Sequence, residues 1–407
     1  MTKAPCPLKG VRVVEFSHMV MGPSCGLVLA DLGADVVKVE PAPDGDKTRR
    51  LPGSGAGFFG TYNRNKRSIS VNLKSAEGLE FATNLVRASD VLLENFGLGV
   101  LDRIGLGYEA MQKINPGLVY CALKGFLSGP YEQRAALDEV VQMMGGLAYM
   151  TGPKGRPLRA GASVNDVMGG LFGVIAIQAA LLERQRTGKG AFVRSGLFEN
   201  NVFLVAQHMV QYRQTGVPAA PMPERISAWA VYDVFDTCDN EKVFVGVVSD
   251  KQWTQFCNAF SLNDLLVNKE FQTNAERVLC RDAFIPRIRQ MFLGWELSQV
   301  ITICERIGVP FAPILRPDQL FDDAHVNHPG ATVEITLSNG MRAKVPALPV
   351  EYNGFRPGLH RGLPQIGEHN EDVATELGYS DEKLKSLRPF LGTSQTNRPA
   401  VSYTHLR

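Results

Sequence analysis

Short β-branched runs alternate with helix-length segments from residue 11 to residue 123, and this alternation restricts the fold more than any other feature. Val11–Phe16 reads as a strand, punctuated by Gly22-Pro23. Ser24–Leu32 reads as a helix closed by Gly33, and Val36–Glu40 as the next strand. Leu79, Leu85 and Val86 fall near helical spacing and predict a helix over Ala76–Ala88. Val91–Glu94 and Leu118–Leu123 predict two more strands. Strands separated by helices need crossover connections, and crossovers produce a parallel sheet covered on both faces. An α/β, doubly wound, Rossmann-like domain is the expected fold. The turn after the first strand lacks G-x-G-x-x-G, and no Walker pattern appears, so neither a dinucleotide nor a nucleoside triphosphate site is indicated.

A chain of 407 residues exceeds one ordinary core, so more than one domain is expected. A helical pattern runs from Asp166 to about Arg186 and ends at the turn Thr187–Gly190. The Pro-rich break Gly216–Pro223 follows another helix and reads as a linker. Strands near Tyr232–Phe235 and Val243–Val248 then lead into helices as far as Ile307. Ala331–Ala347 reads as a hairpin turning at Asn339-Gly340, and Glu371–Leu387 as one last helix.

Composition excludes several partners. Hydrophobic residues make up 44% and charged residues 21%, as in soluble globular proteins. A formal charge of +2 gives little attraction to nucleic acid. The apolar stretch Val167–Leu182 is interrupted by Gly169, Gly170 and Gly173, so a buried helix is expected there rather than a membrane span. Met1–Gly10 carries no charged-then-apolar leader pattern. Seven scattered cysteines without a C-x-x-C pair suggest neither a disulfide framework nor a metal site. A reducing, cytoplasmic location is the expectation.

An ordered series of motifs resembles the CaiB–BaiF family, the class III CoA-transferases. It begins with Leu8–Glu15, Gly22-Pro23 and Leu29–Glu40. Asn63–Ile69, Glu94-Asn95-Phe96, Leu101–Gly105, Gly125-Phe126 and Gly129-Pro130 follow in order. Asn165–Gly169, Arg186–Gly190 and Gly367-Glu368-His369 complete the series. The resemblance covers residues 8 to about 390. It implies a large CoA-binding domain formed by residues 1–215 and 331–392. It also implies a smaller inserted α+β domain at 228–318, joined by linkers at 216–227 and 319–330. Residues 393–407 are polar and aperiodic and are expected to be disordered. Two such ring-shaped chains would interlock as a homodimer.

The resemblance also assigns roles. Asp166 is the implied nucleophile, and Asp138 a carboxylate that orients the site. A carboxylate can attack a thioester to form a mixed anhydride, and backbone donors can hold the oxyanion. Free N–H groups at the start of the Asp166 helix are expected to favour its charge. The run Val167-Met168-Gly169-Gly170 is expected to leave room for acyl-CoA. Implied CoA contacts are His18, Val20, Met21, Val71, Lys74, Asn95, Phe96, Arg103 and Lys124. No permanently bound cofactor and no metal is implied; CoA arrives as the thioester substrate. Related racemases carry a histidine where Leu137 stands, and leucine transfers no proton. Related formyl-CoA transferases carry glutamine where Val20 stands, and a glycine run that is missing from Glu224–Asp236. Succinyl-CoA as donor and a small dicarboxylate as acceptor are the working expectation, with racemisation and non-catalytic acyl-CoA binding as alternatives. Arg49, Arg50, Arg64 and Arg225 are the candidate cations for a second substrate carboxylate.

Overall fold

The computed structural model describes residues 6–225 and 227–392. The tail at 393–407 lies outside the described residues, as do residues 1–5 and 226. The chain forms two compact units, one of residues up to 219 and from 324, the other of residues 220–323.

In the first unit, six strands form one sheet: β1 (Arg12–Phe16), β2 (Asp35–Pro41), β3 (Arg67–Val71), β4 (Val91–Glu94), β5 (Val119–Lys124) and β6 (Ala191–Gly196). Their order is β3-β2-β1-β4-β5-β6, and every pairing is parallel. Strand side chains alternate between two cores. Val14 and Leu92 enter the core that contains Phe81, Leu85 and Val373. Val13, Val91 and Leu93 enter the opposite core, with Cys25, Leu29 and Ile177. Both faces are therefore buried, as parallel sheets require. The order of strands reverses between β1 and β4, and open α/β sheets bind ligands outside the carboxyl ends of their strands at such a point.

Two strands of this sheet escaped the sequence reading, and one helix of this unit was read too long. β3 spells Arg67-Ser68-Ile69-Ser70-Val71, which looks exposed by composition but is buried throughout. β6 is half-buried with Arg194 in its middle. The segment read as one helix over Glu371–Leu387 is two helices, Asn370–Glu376 and Asp381–Leu387. Gly378, at φ +79°, breaks them apart.

Several buried charges inside this unit are paired. Lys66 Nζ lies 2.8 Å from Glu15 Oε2, and Lys38 Nζ lies 2.9 Å from Asp46 Oδ2, all on buried side chains. Lys38 also donates to the backbone oxygen of Ser17 at 2.8 Å, and Lys66 to that of Pro23 at 3.0 Å. These bonds fasten the loop that leaves β1. Removing one member of such a cluster strands a buried charge, at a typical cost of about 3–5 kcal/mol.

The motif Asn63–Ile69 is thus structural. Arg64 and Asn65 both bind the Asp31 carboxylate, and Arg67 binds Asp35 and Glu376. Arg49 is held by Glu40 through two bonds, at 2.8 and 2.6 Å. Arg49 and Arg64 are therefore committed to protein carboxylates and are not available cations for a substrate.

The helix Val164–Thr187 has 24 residues. Among the described residues it is the one helix long and apolar enough to pass for a membrane span by length and composition, as the core helix of a folded domain also can. Its buried face, including Gly170, Gly173 and Ile177, packs into the unit.

The second unit holds a three-stranded antiparallel sheet, β7 (Val231–Asp236), β8 (Lys242–Val247) and β9 (Phe311–Pro313). Phe235, Val245, Trp253, Phe256 and Phe292 fill its core. Arg225 sits there with its guanidinium 5.8 Å from the Tyr232 ring. The hairpin of β10 (Thr332–Thr336) and β11 (Arg342–Pro346) belongs to the first unit.

Candidate active site

A cleft of about 1050 Å³ opens in the first unit, at the carboxyl ends of β1, β4 and β5. His18, Val20, Met21, Asn95, Phe96, Lys124, Asp138 and Asp166 all line it. The Asn95 side chain joins its two walls. Asn95 Oδ1 accepts from the His18 N–H at 3.0 Å, and Nδ2 donates to the His18 oxygen at 2.9 Å. The His18 ring stacks on Phe96 at 5.3 Å. Lys124 is anchored by the Glu94 carboxylate at 2.5 Å and by the Phe96 oxygen at 2.8 Å.

Val71, Lys74 and Arg103 are absent from the cleft lining. Val71 ends β3, is 1% exposed and bridges to Leu391. Lys74 is exposed just beyond β3, and Arg103 is exposed at the end of the short helix Val100–Arg103. Lys74 and Arg103 follow the carboxyl ends of β3 and β4, so they share the sheet edge on which the cleft opens.

Asp166 occupies the third position of its helix, with Ser163 rather than Asp166 at the N-cap. Val20 and Met21 are 1% and 4% exposed, so they form floor rather than open apolar surface. A Cβ on Gly169 would meet Met21 Cε at 2.4 Å, and one on Gly170 would meet Ser24 Oγ at 2.2 Å. These glycines therefore admit the helix Met21–Asp31, not an acyl-CoA. Their buried positions correct the expectation that they leave room for substrate.

The helix start also differs from expectation. Asp138 Oδ1 accepts from the N–H groups of Asn165 at 2.8 Å and Asp166 at 3.2 Å. The Val167 N–H is bonded to the Ser163 oxygen. These donors are taken, so they neither ease the Asp166 charge nor offer an oxyanion hole. Burial wins instead. The Asp166 carboxyl is pushed up to about 7, first by burial, then by the charges of Asp138 and Glu139, with Arg159 partly opposing. Asp138 is itself held by Gln142 Nε2 at 2.5 Å, while Gln142 Oε1 accepts from the Ala160 N–H at 2.8 Å.

Several cleft groups went unread in the sequence. Tyr62 lines the cleft, and its phenol is raised by burial and then by the Asp166 charge. Glu139 and Arg159 form an ion pair across the cleft wall. The spacing of Asp138 and Gln142, one helical turn apart, was the available signal for their bond. Nothing local marks Arg159 or Tyr62. Arg50 is exposed and spends Nη1 on the Asp44 oxygen at 2.7 Å.

Comparison with known proteins places this geometry. Residues 8–370 match the family described as CoA-transferase family III. A succinate–glutarate CoA-transferase of Agrobacterium fabrum is 33% identical over 91% of this chain and 96% of its own length. A succinyl-CoA:glutarate CoA-transferase of Homo sapiens is 32% identical over 94% of this chain and 88% of its own length. The crystal structure of a CAIB/BAIF family protein from Brucella suis superposes with a TM-score of 0.82, at 33% identity. That match covers 92% of this chain and all of the other.

The electrostatics of the cleft give a direct check. In a carboxyl 13C titration, Asp166 should show a midpoint near 7. Asp138→Asn removes a neighbouring negative charge and should lower that midpoint by roughly a unit, in line with an adjacent like charge. An unchanged midpoint in the variant would remove Asp138 as a cause.

Proposed function

The chain belongs to CoA-transferase family III, and from that premise we propose that it moves CoA from succinyl-CoA to a small dicarboxylate such as glutarate, with Asp166 as the nucleophile. The chain is an enzyme of the CoA-transferase class. One observation carries the finer reading. A helix-start carboxyl, raised to about 7, lines the cleft at the topological switch point beside the His18, Asn95 and Phe96 cluster. The names of the two glutarate-using relatives suggest the acids.

The bonds balance as follows. An ionised Asp166 oxygen attacks the succinyl thioester carbonyl; the C–O bond forms, the C–S bond breaks, and CoA leaves as thiolate. The thiolate then attacks the aspartyl carbonyl of the mixed anhydride, releasing succinate and leaving CoA on Asp166. The acceptor carboxylate attacks that thioester and expels thiolate again. The thiolate finally attacks the acceptor's acyl carbon, which restores the Asp166 carboxylate. One activated acyl group, thioester or anhydride, is kept at every stage, so no water or nucleotide is consumed. A carboxyl near 7 is a stronger nucleophile than an ordinary aspartate, at the expense of being partly protonated at neutral pH. Exchange should therefore rise with pH through a midpoint of about 7 and level roughly a unit above it. Racemisation needs a second proton-transfer group, and Leu137 in the cleft wall provides none.

A second copy of the chain is part of the proposal. The helices Val164–Thr187 and Leu197–Thr215 present Ile175, Leu182, Phe203 and Val210, each more than half exposed. So large an apolar surface suits a partner better than water. An interlocked homodimer is the proposed occupant. Light scattering should give about twice 44.6 kDa, and Phe203→Glu should shift the mass toward the monomer. A monomeric wild type would end this part of the reading.

The catalytic assignment is tested by pairing succinyl-CoA with a panel of carboxylic acids and following new thioesters by mass spectrometry. Wild type should form glutaryl-CoA, and Asp166→Ala should lose roughly a thousandfold or more of that rate, as expected for loss of a covalent nucleophile. Normal exchange in Asp166→Ala, or deuterium uptake from heavy water at the α-carbon without exchange, would overturn it.

A further inference from the structure

We propose that Arg159 leaves Glu139 to bind the distal carboxylate of the acceptor acid, and so selects dicarboxylates over monocarboxylates of equal length. This rests on the transferase reading above and extends it to a specificity residue.

The cleft contains four long cationic side chains, and three are poorly suited to the task. Lys124 is 10% exposed and paired with Glu94, itself 4% exposed. Releasing it would leave a buried carboxylate unpaired, which is costly. Arg194 is 17% exposed, paired with Glu132 and also bonded to Ser128. Arg134 lies over the Tyr131 ring at 4.1 Å and is not among the charges that act on Asp166. Arg159 differs on both counts. Its pair with Glu139 is the most open of the three cleft ion pairs, at 37% and 54% exposure. Open pairs contribute little, typically about 0–1 kcal/mol, so exchanging one anion for another costs little. Its charge also reaches Asp166, opposing the rise of that carboxyl.

The acceptor step requires such a cation. When Asp166 carries CoA it is neutral, but Asp138 and Glu139 remain beside it and repel an incoming anion. A monocarboxylate brings only the reacting charge. A dicarboxylate brings a second one, which must be matched within reach of the nucleophile. The Arg159 guanidinium can meet it with two parallel N–H donors. Its Nε is already oriented by the Ala160 oxygen at 3.0 Å, on the same segment whose N–H is held by Gln142. The four bonds Asp138–Asn165, Asp138–Gln142, Gln142–Ala160 and Ala160–Arg159 thus tie the selecting group to the start of the nucleophile's helix.

The test compares glutarate with its monomethyl ester as CoA acceptors, using succinyl-CoA as donor at a single pH. Both acceptors use the same nucleophile, so the ratio of their kcat/KM values cancels any change in Asp166 ionisation. Wild type should favour glutarate. Arg159→Ala should reduce that preference roughly 10- to 100-fold, the range of one charge-assisted hydrogen-bond pair. Arg159→Lys should retain part of it, and Glu139→Gln should increase it by freeing the guanidinium. Turnover of the monomethyl ester and the melting temperature report whether each variant is folded. A glutarate preference within twofold of wild type in Arg159→Ala, or no preference in wild type, would overturn the inference while leaving the transferase reading in place. Failure of both acceptors with wild type would instead count against the reading itself.

Discussion

Close packing of two helices sets the whole site. The helix that carries Asp166 lies against the helix Met21–Asp31 with no side chain at Gly169 or Gly170 to hold them apart. The second helix starts where β1 ends, and its loop is fastened from beneath by Lys38 and Lys66. Asp166 therefore reaches the carboxyl edge of the sheet, beside the switch point where β1 and β4 diverge. An alanine at either glycine would push the nucleophile away from His18, Asn95 and Phe96 or disturb the core below. The small residues serve geometry of the protein first and chemistry only through it.

Asp138 exercises two opposed influences on the nucleophile. By accepting the N–H groups of Asn165 and Asp166 it satisfies the helix start and fixes the backbone there. By its charge it makes ionisation of Asp166 harder. A carboxylate elsewhere on a helix N-terminus is stabilised by the dipole. Here the donors that would do so are spent on another carboxylate, and burial and repulsion prevail. Cleft residues thus hold a tension that a merely stable protein would avoid, as functional sites commonly do.

Much of the fold was legible because apolar strands of a two-faced parallel sheet stand out from their surroundings. Val91–Glu94 was read at its observed bounds, and Val36–Glu40 within a residue of them. β3 was hidden because the backbone N–H groups of Ser68 and Ser70 and the Arg67 guanidinium bond to distant partners, His369, Asn370 and Glu376. No local pattern reports bonds to residues some 300 positions away. The same limit applied to the site. Asp166, Asp138 and the β1, β4 and β5 residues were named from ordered motifs, since each follows a strand or opens a helix. Arg159 follows neither, and its importance lies in which carboxylates surround it. Arg49 and Arg64 were named as substrate cations for their charge alone, and their buried partners account for them fully.

Transfer of oxygen is the most direct measure of the account, because the proposed route passes one acceptor oxygen through the nucleophile. Enzyme given succinyl-CoA and glutarate labelled with 18O in its carboxylates should yield an Asp166 peptide heavier by 2 Da after one turnover and approaching 4 Da after many, with label appearing in succinate from the second turnover onward. Exchange that proceeds at full rate with an unlabelled Asp166 peptide and unlabelled succinate would contradict it.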